Sequence, residues 1–168
     1  MGVKNYLIEG VSGTGKTSVA TELQRRGHHL IHGDRELAYK GDPETGEPLD
    51  GSAHEYILDV PFGHKHHLWN VDKVKSLVAD RSHPITFFCG GSRNFHCFID
   101  LFDGVFVLNV DLDTLNSRLS SRGFGGKPGE REAIVRLHTT QEDTPKNAMS
   151  IDATAPLASV VNDILSKC

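Results

Sequence analysis

Residues Gly10 to Thr17 read GVSGTGKT, and the reading of this stretch decides the fold. It fits the pattern G-x-x-x-x-G-K-[ST]. Before it, NYLIE (Asn5 to Glu9) is a short apolar strand. After it, KTSVATELQRR (Lys16 to Arg26) carries apolar residues at helical spacing until Gly27 stops it. A glycine-rich turn between strand and helix aims several backbone N–H groups at one spot, and the helix N-terminus adds partial positive charge, so the turn suits a phosphate. The nucleotide-binding set is then Gly10, Ser12, Gly13, Thr14, Gly15, Lys16, Thr17 and Ser18. Lys16 would reach the β- and γ-phosphates of ATP or GTP, and Thr17 would place its hydroxyl on Mg²⁺. A glycine turn that binds nothing is the competing reading, and motif and context together weigh against it.

Working outward, HLIH (His29 to His32) sits where a second strand would return and ends in Gly33-Asp34. Residues 36–69 lack periodicity and hold GDPETGEPLDG, so they are expected to form a substrate-side insert with one short helix near Ala53 to Leu58. Val71 to Ala79 reads as a helix, and PITFFC (Pro84 to Cys89) as a strand buried on both faces. A helix is expected around Phe95 to Phe102, then the strand GVFVLNV (Gly104 to Val110). In DLDTLNSRLSSR, Asp111 is the N-cap and Leu112, Leu115 and Leu119 share a helical face. Glu130 to Gln141 reads as a helix, Met149 to Asp152 as a last strand, and Pro156 to Ser166 as a last helix with proline at its first position. Strands alternating with helices predict a three-layer α/β fold with a five-stranded parallel sheet. The expected organisation is one domain over 1–168, with the insert at 36–69 and a short lid at 123–133.

The 18 basic and 22 acidic side chains leave a net charge of −4, which offers no general field for nucleic acid or an anionic membrane. No apolar run approaches the roughly 18 residues of a membrane span, and no segment has the character of a signal peptide. With three cysteines, an odd number, a reducing cytoplasm is the expected home.

Phosphoryl transfer needs a carboxylate near the attacking oxygen and cations over the moving group. Asp34 follows the second strand, at the sheet edge where open α/β folds bind ligands. It can orient or deprotonate an acceptor hydroxyl, or hold Mg²⁺ through water; the alternative is a helix N-cap before RELAY. Gly90 and Gly91 end the third strand and would let a substrate approach the backbone. Arg93 beside them is either a bidentate clamp for an acceptor anion or a surface arginine. Arg118 and Arg122 lie four residues apart on one helical face, able to reach the nucleotide from above; a solvated basic helix is the alternative. Lys127, Arg131 and Arg136 continue this positive charge, and a solvated role is preferred for Lys127 and Arg131. The acid expected on the third strand for Mg²⁺ is replaced by Cys89, which puts the holding on Thr17 and, through water, Asp34. His64-Lys65-His66-His67 lacks the partners of a zinc site and reads as a solvated or substrate-lining loop, and Trp69 as a residue packing the insert on the core.

The spacing GxxGxGKT resembles that of the small kinases of the adenylate kinase, shikimate kinase and gluconate kinase superfamily, and the likeness runs over nearly the whole chain. His32-Gly33-Asp34 keeps only the second acid of the D-x-D of shikimate and gluconate kinases. Against the T-G-D-x-x-R of adenylate kinases, Gly33-Asp34 matches and Leu37 takes the arginine's place. Gly90 to Arg93 resembles G-F-P-R, Arg118 to Arg122 the R-L-x-x-R before the mobile lid, and Ile151 to Pro156 the turn that borders adenine. The resemblance implies an ATP- and Mg²⁺-dependent kinase acting on a hydroxyl of a small molecule. Two alternatives stay open: a nucleoside or nucleoside monophosphate kinase, and a regulatory ATPase that senses nucleotide without transfer.

Overall fold

The computed structural model describes residues 3–11, 13–48, 65–121, 130–141 and 144–168. Strand β1 (Lys4–Glu9) is buried along five of its six residues, as an interior parallel strand must be. Its side chains alternate between two cores. Tyr6 and Ile8 join Phe87, Phe106, Leu108, Leu115 and Ile164, whereas Leu7 joins Ile31, Trp69, Phe88, Phe98 and Phe102. A sheet with a core on each face gives three layers, as the chain order predicts.

The elements run β1, α1 (Lys16–Arg25), β2 (His29–His32), α2 (Gly33–Glu36), β3 (Ala38–Lys40), β4 (His67–Trp69), α3 (Val71–Ala79), β5 (Ile85–Cys89), β6 (Gly104–Asn109), α4 (Leu112–Ser121), α5 (Glu130–Thr140), β7 (Met149–Asp152) and α6 (Leu157–Ser166). The five-stranded sheet has the order β2-β5-β1-β6-β7, and every pairing in it is parallel. The strand order reverses at β1, so the crevice where open α/β sheets take ligands lies at the carboxyl end of β1. Helix α1 ends in a Schellman motif, with Gly27 N donating to Gln24 O at 3.0 Å and His28 N to Leu23 O at 3.1 Å. The N-cap role of Asp111 holds: its Oδ1 accepts from Thr114 N at 2.6 Å.

The structure departs from expectation in three places. The helix expected over 95–102 is two 3₁₀ turns, Phe95–Cys97 and Ile99–Leu101, which let Phe95, Phe98 and Phe102 pack into the second core from a short connection. Pro156 is the N-cap of α6, one position before its first turn. The insert, read as lacking periodicity apart from one short helix, contributes an antiparallel hairpin of β3 and β4, in which Ala38 pairs with Trp69 and Lys40 with His67. The helix expected near residues 53–58 lies outside the described residues.

Candidate active site

The loop after β1 folds around its own carbonyls. Thr14 Oγ1 donates to Val11 O at 2.8 Å, and Lys16 Nζ reaches back to donate to Gly10 O. Gly10 has φ +155° and lies so close to Thr14 that a Cβ would sit 2.7 Å from its Oγ1, so only glycine fits there. Arg118 of α4 ties this loop to the turn after β7: Nη1 donates to Thr14 O at 3.1 Å and Nη2 to Ala153 O at 2.7 Å. Arg118 thus braces the glycine loop from above. Arg118→Met should remove two charge-assisted bonds, cost on the order of 1.5–3 kcal/mol, and weaken the response of the melting temperature to added ADP. An unchanged melt with and without ADP would remove Arg118 from the loop's support.

Opposite the loop stands Asp34. The turn that opens α2 is closed by Glu36, whose Oε2 accepts from His32 N at 2.6 Å, and His32 takes the N-cap place. The N-cap alternative for Asp34 therefore falls. Its Oδ1 instead accepts from Nε2 of His67, at 3.0 Å, across from β4. Burial alone would raise this carboxyl, but the His67 hydrogen bond and the Lys16 charge outweigh it and hold it below the ordinary carboxylate range. The indole N–H of Trp69 makes no hydrogen bond of normal geometry, yet lies near enough to favour the ionised form.

A second carboxylate escaped the sequence reading. Glu9, the last residue of β1, is only 5% exposed and packs on Gly91, whose Cβ would sit 3.0 Å from Oε1. A Cβ on Gly90, at φ +137°, would meet Asp34 Oδ1 at 2.8 Å. The paired glycines thus make room for two carboxylates. Burial pushes the Lys16 ammonium below its ordinary range; the charges of Asp34 and Glu9 oppose the shift and Arg93 reinforces it. The cluster combines one desolvated cation with two acids, a setting that responds strongly to an incoming phosphate.

The hairpin is fixed to this edge by the turn after β5. Arg93 N donates to His67 O at 2.9 Å, and Asn94, also missed in the sequence, exchanges bonds of 3.0 Å with both the N–H and the C=O of Trp69. Trp69 is fully buried and stacks on Phe98 with ring centroids 5.6 Å apart, as its core reading requires. A buried amide that satisfies both backbone groups of one residue is the signal that locates the hairpin.

Cys89, in the place of the missing acid, is buried and its thiol is pushed up to about 12, so it stays neutral and is a poor ligand for a hard cation. Thr17 and Ser18 are exposed on the first turn of α1. The oxygen donors at this edge, Thr17 and the Asp34 carboxylate, are of the type Mg²⁺ takes, so the donor set fits that ion. Among the described residues no cluster of three or more His, Cys, Asp or Glu side chains is arranged for a metal of its own. Ser12, His64, Arg122, Lys127 and most of the lid span lie outside the described residues. Arg131 does not project as a free flap cation, since it donates to Asn116 Oδ1 at 3.1 Å and Ser120 Oγ at 3.2 Å, fastening α5 to α4. Among the described residues no helix is long and apolar enough to cross a membrane.

No family model matches the chain. A 56-residue stretch, 32% of this chain, is 46% identical to HPr kinase/phosphorylase of Streptococcus pyogenes serotype M5 and of Streptococcus agalactiae serotype III, and the match spans 17% of the length of those relatives. Among solved structures, the shikimate kinase of Acinetobacter baumannii, in complex with shikimate, matches with a TM-score of 0.60 at 16% identity, covering 98% of this chain and 92% of that one. A sugar kinase of Janibacter matches with a TM-score of 0.57 at 17% identity over 98% and 93% of the two chains. The deoxyadenosine kinase of M. mycoides matches with a TM-score of 0.51 at 17% identity over 97% of each chain. Over nearly its whole length, the chain has the fold of the P-loop kinases.

Proposed function

We propose that this protein is a kinase that moves the γ-phosphoryl group of ATP to a hydroxyl of a small-molecule acceptor. The observation that carries this reading is the facing pair of Lys16 and Asp34, a desolvated ammonium on the glycine loop and an ionised carboxylate held by His67 on the acceptor side. In this reading Gly10, Ser12, Gly13, Thr14, Gly15, Lys16, Thr17 and Ser18 cradle the nucleotide. Lys16 would leave Gly10 O for the β- and γ-phosphates, whose charge repays its burial. Asp34 accepts the hydroxyl's hydrogen bond, orients its oxygen toward the γ-phosphorus, and takes the proton as the new P–O bond forms and the bond to ADP breaks. With its carboxyl held below the usual range, Asp34 is ionised throughout the neutral region, and its acceptor role is lost only as pH falls through that lowered value. Gly90, Gly91 and Arg93 border the acceptor, with Arg93 facing an anionic group. Arg118 holds the loop and, with Arg122, carries positive charge toward the nucleotide. When bound, Mg²⁺ would neutralise phosphate charge, held by Thr17 and through water by Asp34.

The test is transfer from γ-labelled ATP with Mg²⁺ to a panel of sugar acids, polyols, nucleosides and nucleoside monophosphates. At least one class should accept phosphate, and Asp34→Asn should lower kcat about 10²–10⁴-fold while the KM for ATP holds. Slow hydrolysis without transfer to any class, unaffected by Asp34→Asn, would favour a nucleotide sensor instead.

A further inference from the structure

Beyond the two facing groups, the hairpin supplies a chain of hydrogen bonds that ends on the reacting carboxylate. Lys40 closes β3 and His67 opens β4, and they are direct cross-strand partners. Lys40 Nζ lies 3.3 Å from His67 Nδ1, and His67 Nε2 lies 3.0 Å from Asp34 Oδ1. An ammonium can only donate, so Nδ1 must accept. An ionised carboxylate can only accept, so Nε2 must carry the proton. Both neighbours therefore select one tautomer of the ring, and neither is served by the other.

We propose that Lys40 and His67 are positioning residues for Asp34: Lys40 fixes the ring proton of His67 on Nε2, and Nε2–H holds Oδ1 of Asp34, leaving Oδ2 for the acceptor hydroxyl. This deepens the kinase reading and rests on it for the role of Asp34. The support under the relay is independent of any ligand. His67 cannot drift, because its carbonyl accepts from Arg93 N at 2.9 Å and the next strand residues are buried, with Trp69 clamped by Asn94. Asp34 in turn rests on a four-residue helix with its side chain about half exposed, so packing alone does not set its rotamer. A hydrogen bond from a rigid strand is what gives such a carboxylate one orientation.

The decisive measurement is the ring ¹⁵N spectrum of His67 in the ligand-free protein at mildly alkaline pH, which needs no acceptor and no activity. Wild type should show a single tautomer with Nε2 protonated, and Lys40→Met, which leaves Asp34 as the one remaining selector, should raise the fraction protonated on Nδ1 while the melting curve stays cooperative. A ring protonated on Nδ1, or one indifferent to Lys40→Met, would overturn the proposal whether or not the protein is a kinase. With an acceptor in hand, His67→Leu should lower kcat on the order of 10²-fold with the KM for ATP unchanged, the loss typical of a misplaced group. His67→Gln, which restores a side-chain N–H, should recover activity to within about tenfold of wild type. Equal losses in both variants, with the tautomer as expected, would overturn the positioning role and leave the kinase reading standing.

Discussion

Lys16→Met should reduce phosphoryl transfer by at least 10²–10³-fold, the order expected for one preorganised donor to developing charge, while the ligand-free protein melts no lower than wild type. The second half of this expectation follows from the direction of the lysine's shift. A base whose folded value lies below its ordinary 10.5 is less comfortable charged in the fold than in the unfolded chain. That penalty is absent above the ordinary value and grows as pH falls toward the folded value, so replacing the charge with an apolar group of similar length removes a cost rather than a support. Desolvation leads the shift and outweighs the attraction of Asp34 and Glu9. A methionine of similar length removes the charge and keeps the packing. Transfer assays paired with thermal melts, with and without ADP and Mg²⁺, separate the two halves. Retained activity would mean that GVSGTGKT is not the donor site, and a melt several degrees lower would refute the account of burial. In wild type, bound nucleotide should raise the melting temperature much more than in the variant.

Gly33→Ala should be the most damaging single methyl in the described chain, costing about 3 kcal/mol, the upper end of ordinary overpacking. A Cβ at this position would lie 2.0 Å from Trp69 Cζ2 and 2.5 Å from Cη2. The indole has nowhere to go. It is wholly buried, parallel to Phe98 within 3°, and its backbone is gripped on both sides by Asn94. Urea titration followed by fluorescence measures this directly, since Trp69 is the chain's single tryptophan. Adding Trp69→Phe opens the space, so the double variant should be less destabilised than the sum of the singles, a coupling that contacting residues show. A Gly33→Ala variant within about 0.5 kcal/mol of wild type would mean that the ring does not sit against α2 as described.

What could be read from the sequence follows from how local each signal is. The loop, β1, β5 and β6 declare themselves because glycines and lysine stand at fixed offsets and each strand carries a run of apolar residues. The hairpin does not, because AYK and HLW are three residues each and show no period, and their pairing joins residues far apart in the chain. His67 belonged to a histidine-rich run that invited a zinc reading, whereas its partner is Asp34, which only the fold brings near. Glu9 read as a strand end because an acid beside a loop is normally solvated; its burial becomes visible only once Gly91 of another strand is seen packed against it. The segment Phe95 to Phe102, expected as one helix, turns in 3₁₀ form instead.

The pairing of Lys40 with His67 has one more consequence, concerning how such a protein can change its substrate. Lys40 and His67 are partners on one antiparallel ladder, and just beyond them Gly41 N donates to His66 O at 2.9 Å. Because this pairing already holds the flanking chain together, a change of length between the two anchors should act mainly through closure entropy, of which each doubling of length costs only about 0.6 kcal/mol. The glycine loop, Asp34 and the register of the five-stranded sheet are all outside that span. Under the proposed kinase reading, in which this span decides the acceptor, acceptor choice should be exchangeable by grafting between these two anchor residues.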